Sequence, residues 1–141
     1  MAHSLLPESL AEARAVVERL GHELFVAQAE LARAPSAGPV KRTITARHVE
    51  RLEQEIDRFD AQHPPLTGFV LPGGAPPAAA LHVARTVARR AERELVALDR
   101  ETPLDPTLLA WANRLSDLLF ALALATNHAL GVAETSPNYD V

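Results

Sequence analysis

Clusters of proline and glycine cut this chain into helix-length pieces, and that punctuation limits its fold more than any other feature. Proline has no amide hydrogen to donate and its ring crowds the preceding turn. Helical bonding must therefore stop in APSAGPVK (34–41), at Pro35, Gly38 and Pro39, and again across AQHPPLTGFVLPGGAPP (61–77). Between the breaks, apolar residues recur in steps of three and four. Leu10, Ala13, Val17, Leu20, Leu24, Ala27 and Leu31 mark one amphipathic helix, with Ser9 and Glu12 spaced as a capping box. A second follows Thr45 as N-cap, with Ile44 and Val49 placed as a hydrophobic staple and Val49, Leu52, Ile56 and Phe59 as its stripe. A third spans about Ala78 to Leu98 on Leu81, Ala84, Ala88, Ala91, Leu95 and Leu98. The fourth opens at Asp105, an N-cap followed by Pro106, and stops near Gly131, with Leu108, Trp111, Leu115, Leu118, Leu119, Leu122 and Ala129 inward. No segment shows the two-residue alternation of a sheet, and no repeat or linker divides the chain. The expectation is an all-α, four-helix bundle forming a single domain over residues 1–141. The apolar FVL inside the second break is expected to turn inward or to cover something.

Composition excludes several kinds of chemistry. With 141 residues and no cysteine, disulfides, thiolate metal sites and cysteine nucleophiles are all ruled out. A net charge of -4 argues against a broad nucleic-acid surface, which needs a positive field. The start, MAHSLLPESL, lacks the basic and apolar regions of a secretory signal, and no membrane span is read from the sequence, so a soluble cytoplasmic protein is expected. The histidines are scattered, with no metal-ligand spacing, and no phosphate-loop or serine–histidine–aspartate pattern occurs.

The remaining chemistry sits in RTVARRAERE (85–94). At 100° per residue from Leu81, Glu92 lies at about 20°, Arg85 at about 40°, Arg89 at about 80° and His82 at about 100°, one column beside the apolar stripe. Arg90 points toward solvent or another subunit, and Arg93 is borderline. From Leu115 on the last helix, Ser116, Asn127, Phe120 and Asn113 fall between about 100° and 160°, a second coherent face, with Asp117 and Arg114 further round for links to neighbouring helices. The arginine column reads in two ways. Arg85 and Arg89 can lie over a bundle seam and pair with Glu92, or they can bind a phosphate or carboxylate, to which guanidinium presents a planar fork of donors. His82 reads as a surface or hydrogen-bonded histidine, and Asn113, Ser116 and Asn127 as caps or interhelical bonds. With no side-chain nucleophile in view, the chemistry best supported is orientation of an anionic or amide-bearing ligand.

Three blocks together carry a resemblance. FVLPGGAPPAAALHVARTVARRAERELVAL (69–98), WANRLSDLLFALA (111–123) and HELFVAQAELA (22–32) are similar, in order and spacing, to the motifs of the PduO-type ATP:cob(I)alamin adenosyltransferases. The resemblance implies a ferritin-like up-and-down bundle assembled as a homotrimer with sites between subunits. It also implies transfer of the 5′-deoxyadenosyl group of ATP to cob(I)alamin, with cobalt as the nucleophile and triphosphate as the leaving group. By motif position, Phe69 covers the lower corrin face, Arg85 makes an intersubunit salt bridge, Arg89 contacts the triphosphate, Glu92 supports that motif and Asn113 lies near ATP. The cofactor-binding set so implied is Phe69, Val70, Leu71, Pro72, Gly73, Gly74, His82, Arg85, Arg89, Glu92, Asn113, Ser116 and Phe120, with Arg85 and Arg89 catalytic if transfer is retained and no protein-held metal.

The sequence departs from the family in two respects, the milder being Ala88 where the family's arginine motif commonly has a cysteine. It lacks the T-R-x-G-D-x-G-x-T loop and the aspartate–glutamate–leucine–asparagine segment that open the family pattern and that serve ATP and magnesium. Phe69 and LPGG are intact. The expectation is a cobalamin-binding relative with lost or reduced transfer, a carrier or storage protein handing cobalamin to a partner enzyme. The alternatives are a working adenosyltransferase using ATP and Mg2+, and a structural or regulatory interaction bundle. Neither a nucleic-acid nor a membrane partner is expected.

Overall fold

The computed structural model describes residues 2–7, 10–34, 36–39 and 41–141. Within them the chain forms α1 (Ala2–Leu5), α2 (Ala11–Leu31), α3 (Ala46–Asp60), α4 (Pro76–Glu101) and α5 (Pro106–Ala129). The four long helices are those the punctuation calls for. The one-turn α1 is additional, and brings Leu6 into the core. Ser9 of the expected capping box and Pro35 of the first break lie outside the described residues.

Local chemistry sets the helix ends. At α3 the Thr45 backbone N–H donates to His48 Nδ1 at 3.0 Å, closing a capping box, and Ile44 is buried beneath it. At α5 the Asp105 carboxylate accepts from the Thr107 N–H at 2.8 Å, with Pro106 in the first turn. Gly131, at φ 70°, turns the chain away from the end of α5. Between α4 and α5 only residues 102–105 intervene, and the Leu104 N–H bonds the Asp99 carboxylate at 2.8 Å across that turn.

α5 is the hub, with α4 and α3 as its main neighbours. From Ala121 to Asn127 every residue is buried, so this helix has no solvent face there. It is long and apolar enough to cross a membrane, but 67% of that apolar window is buried inside the bundle, which accounts for its composition. Five stripe positions, on three helices, differ from expectation. On α2 the buried line is Ala13, Val16, Leu20, Glu23 and Ala27, leaving Leu24 and Leu31 exposed. On α4, Ala91 and Leu98 are exposed because the helix's second half runs beyond the core, and Ala129 is exposed at the end of α5.

A polar contact explains the rotation of α2. Trp111 Nε1 donates to Glu23 Oε2 at 2.8 Å in the interior, and Arg19 Nε donates to Glu23 Oε1 at 2.9 Å. Arg19 also holds both Glu55 carboxylate oxygens at 2.5 Å, tying α2 to α3. The bonds to Glu55 raise the Arg19 pKa despite burial, so the guanidinium stays charged. A second pair, Arg58 with Glu12, joins the same two helices at the surface. Seating a carboxylate against indole N–H requires Glu23, rather than Leu24, to face inward.

Glu23→Ala leaves the Trp111 N–H buried without an acceptor and is expected to cost roughly 2 kcal/mol of stability, with Glu23→Gln costing less. Urea unfolding followed by the emission of the single tryptophan measures both.

Candidate functional site

α4 and α5 run antiparallel along one seam, and their polar contacts follow in opposite numerical order: 92 with 113, then 85 and 82 with 120, then 75 with 127. At 1.5 Å per residue, the fourteen steps from Asn113 to Asn127 cover about 21 Å. His82, Arg85, Glu92, Asn113 and Phe120 of the expected set make contacts on this seam, Arg89 lines the cleft at one end of it, and residues 69–74 form the loop at the other.

One end is cationic. Arg89, Arg93 and Arg100 line a cleft of about 410 Å³ with Glu92, Val96, Ala97 and Asn113. Asn113 Nδ2 donates to Glu92 Oε1 at 2.7 Å, which fixes the amide, while its Oδ1 accepts from Arg114. The first of the two readings, Arg85 and Arg89 paired with Glu92, has no ion pair among the described residues; Glu92 Oε1 accepts from Asn113 instead. Arg89 is exposed, so its guanidinium is available to an anion in the cleft. Among the described residues, the ion pair Arg114 and Asp117 make is with each other, at 2.8 Å and three residues apart on one helix, rather than with a neighbouring helix. Ser116 is buried and donates to the Asn113 carbonyl at 3.1 Å, so its hydroxyl supports the helix. Arg93 and Arg100 enlarge the site beyond the sequence-derived set. Their spacing from Arg89, four and eleven residues, is the signal that could have found them.

The middle is aromatic. Arg85 lies over the Phe120 ring, with its guanidinium carbon 5.2 Å from the centroid, and the His82 ring meets Phe120 edge-on at 6.0 Å. His82 is neither at the surface nor hydrogen-bonded: it is 3% exposed, and neither ring nitrogen has a partner among the described residues. Burial lowers its pKa, and the positive charge of Arg85 lowers it further against an opposing pull from Glu134. Arg85 Nε is likewise buried without a partner.

The other end is the loop before α4. Phe69 is 82% exposed and Leu71 is also exposed, so FVL does not turn inward; it presents an aromatic face outward. Residues 63–70 enclose, with Leu124, His128, Val132, Ala133, Glu134 and Ser136, a second cleft of about 380 Å³. Pro72, Gly73 and Gly74 pass directly over Asn127. The Asn127 Oδ1 accepts from the Ala75 N–H at 2.9 Å and its Nδ2 donates to the Gly73 carbonyl at 3.0 Å. Gly74 has φ 97°, and a side chain there would overlap the Asn127 amide, so this glycine is required twice over. No group of three or more potential metal ligands occurs among the described residues.

A fold of this kind is found in known proteins. The family model described as cobalamin adenosyltransferase matches residues 1–126. The chain is 43% identical over 116 residues to the corrinoid adenosyltransferase PduO of Citrobacter freundii, covering 82% of this chain and 35% of that protein. It is 42% identical over 113 residues to the corrinoid adenosyltransferase of Bacillus subtilis, covering 80% of this chain and 58% of that protein. The chain thus spans between about a third and three fifths of the length of these curated relatives. A variant PduO-type ATP:corrinoid adenosyltransferase from Lactobacillus reuteri, solved in complex with cobalamin and ATP, superposes with a TM-score of 0.88 at 32% identity, over 98% of this chain and 75% of that one.

Burial of His82 has a measurable consequence. Its lowered pKa means that the unfolded chain takes up a proton more readily than the fold does, so acidification from neutral pH through the ordinary histidine value of about 6.5 removes stability. His82→Phe is expected to lose less stability than the parent over that acid step. Urea midpoints on either side of the step, compared between the two proteins, measure the difference.

Proposed function

The chain belongs to the cobalamin adenosyltransferase family, and from that premise we propose that it acts as an ATP:corrinoid adenosyltransferase. The observation that carries this reading is the single α4–α5 seam. It has an arginine cleft at one end and an outward aromatic, Phe69, on a fixed loop at the other. Such a seam suits a polyphosphate and an apolar macrocycle at once.

In this reading the cobalt of the reduced corrinoid supplies the electron pair that forms the bond to the C5′ of ATP. The C5′–O bond breaks with its electrons on the departing triphosphate. The protein's part is placement and charge. Arg89, with Arg93 and Arg100, neutralises the triphosphate, and Asn113, locked by Glu92, offers a polar contact at the cleft wall. Phe69 covers a corrin face and keeps water and the lower ligand from cobalt; its exposure leaves it available for that contact. Arg85 stacked on Phe120 and His82 beneath form the wall between the two ends.

Retained transfer is favoured over a carrier without chemistry. The arginine cleft is in place, the relatives are named as corrinoid adenosyltransferases, and one similar protein was solved with both cobalamin and ATP. A homotrimer in the cytoplasm is part of the same reading. Its support is the outer face of α4, where Val83 and Val87 are 55% and 49% exposed one turn apart. The adenosylated product would pass to an enzyme that uses it.

The test is an anaerobic assay with cob(I)alamin, ATP and magnesium, following loss of the reduced corrinoid. Arg89→Ala is expected to lower kcat/KM about 100-fold through lost leaving-group stabilisation. Phe69→Ala is expected to lower kcat while the KM for ATP stays within about twofold. Parent protein that retains cobalamin yet never converts it would establish the carrier instead.

A further inference from the structure

Phe69 presents a difficulty for its own role. A side chain 82% exposed has almost no packing inside this chain to hold its direction, yet a lid over a flat ring needs a defined angle. Its aim must come from the backbone that follows it. That backbone has two anchors. The Leu71 N–H donates to the Thr135 carbonyl at 2.8 Å, and Gly73 and Ala75 close on the two ends of the Asn127 amide at 3.0 and 2.9 Å. Asn127 is 1% exposed on α5, the most enclosed helix, so it does not move with the loop. Its second Nδ2 hydrogen reaches Glu134 Oε1 at 3.1 Å, and its own carbonyl accepts from the Val132 N–H at 2.9 Å, which turns the C-terminal segment back toward Leu71.

From this geometry we infer that Asn127 is a positioning residue for the corrinoid lid, acting through the loop that carries Phe69. The inference rests on the adenosyltransferase reading for its functional consequence. Only an amide serves here. One end must accept from Ala75 while the other donates to both Gly73 and Glu134, and a carboxylate of the same shape would turn two of those attractions into oxygen–oxygen repulsions. Gly74 makes the fit specific, since its left-handed turn lets the chain wrap the amide and any side chain there would strike it.

Two variants of the full chain test this by different routes. Asn127→Asp alters the clamp from the helix, and Gly74→Ala alters it from the loop, by driving a Cβ against the Asn127 amide while leaving the α5 sequence unchanged. In the free protein, amide hydrogen exchange at Ala75 and at residues 69–71 is expected to accelerate at least about tenfold in both variants, with protection in the middle of α5 kept. In the transfer assay both are expected to lower kcat about tenfold with the KM for ATP within twofold. Placed on a Phe69→Ala background, Asn127→Asp is expected to add nothing, because the group it aims has gone. Unchanged exchange, wild-type kcat, or a full additional loss on the Phe69→Ala background would each overturn the inference. If the parent protein performs no transfer while the exchange result holds, the adenosyltransferase reading fails and the clamp on the loop stands.

Discussion

The enclosure of α5 is the constraint on which the molecule depends. A helix with water on one side can leave polar side chains to the solvent; from Ala121 to Asn127 this one cannot. Its buried polar groups must find partners inside the protein, and those partners are what hold the surrounding segments in place. Buried Trp111 fixes α2 through Glu23 and buried Asn127 fixes the loop before α4, while half-buried Asn113 holds Glu92 on α4. Thr126 is the exception, its hydroxyl being buried without a partner among the described residues.

The same arrangement separates two kinds of surface by distance along one helix pair. Cationic groups collect where α4 extends beyond the core, because long guanidinium side chains need water around them. Toward the start of α4 the helix is buried at Ala78, Ala80, Leu81 and His82, and the exposed element becomes the loop. A nucleotide and a corrinoid make opposite demands, charge neutralisation for one and dehydration for the other. In the proposed reading, burial that declines along α4 would meet both demands on one helix.

Much of this was legible from residue order. The breaks at proline and glycine gave the four long helices, and Thr45 and Asp105 their caps; Phe69 to Gly74 came only from the family resemblance, while Arg89, Glu92, Asn113 and Phe120 stood on the two helix faces that meet at the seam. What sequence left open was partner choice. Periodicity gives an angle around a helix but not the identity of the neighbour at that angle. Glu92 therefore read as a partner for arginine when Asn113 holds it, and Leu24 read as core when Glu23 occupies that side. His82 carried no pattern that marks burial without a hydrogen bond. Asn127 stood on the right face, but its role depends on a loop conformation that only the folded chain reveals.

The turn across residues 102–105, braced by Asp99 and Leu104, works as the zero mark of a scale. Because all the cross-helix contacts are counted outward from it, one residue inserted there and taken up into the start of α5 would advance the later sequence by about 1.5 Å and rotate it by about 100°, misplacing Asn113, Phe120 and Asn127 together. Length changes between α2 and α3 would disturb none of those alignments. Tolerance to insertion in this protein is therefore set by which connection indexes the seam, and the shortest connection between its long helices is the one with the least freedom to vary.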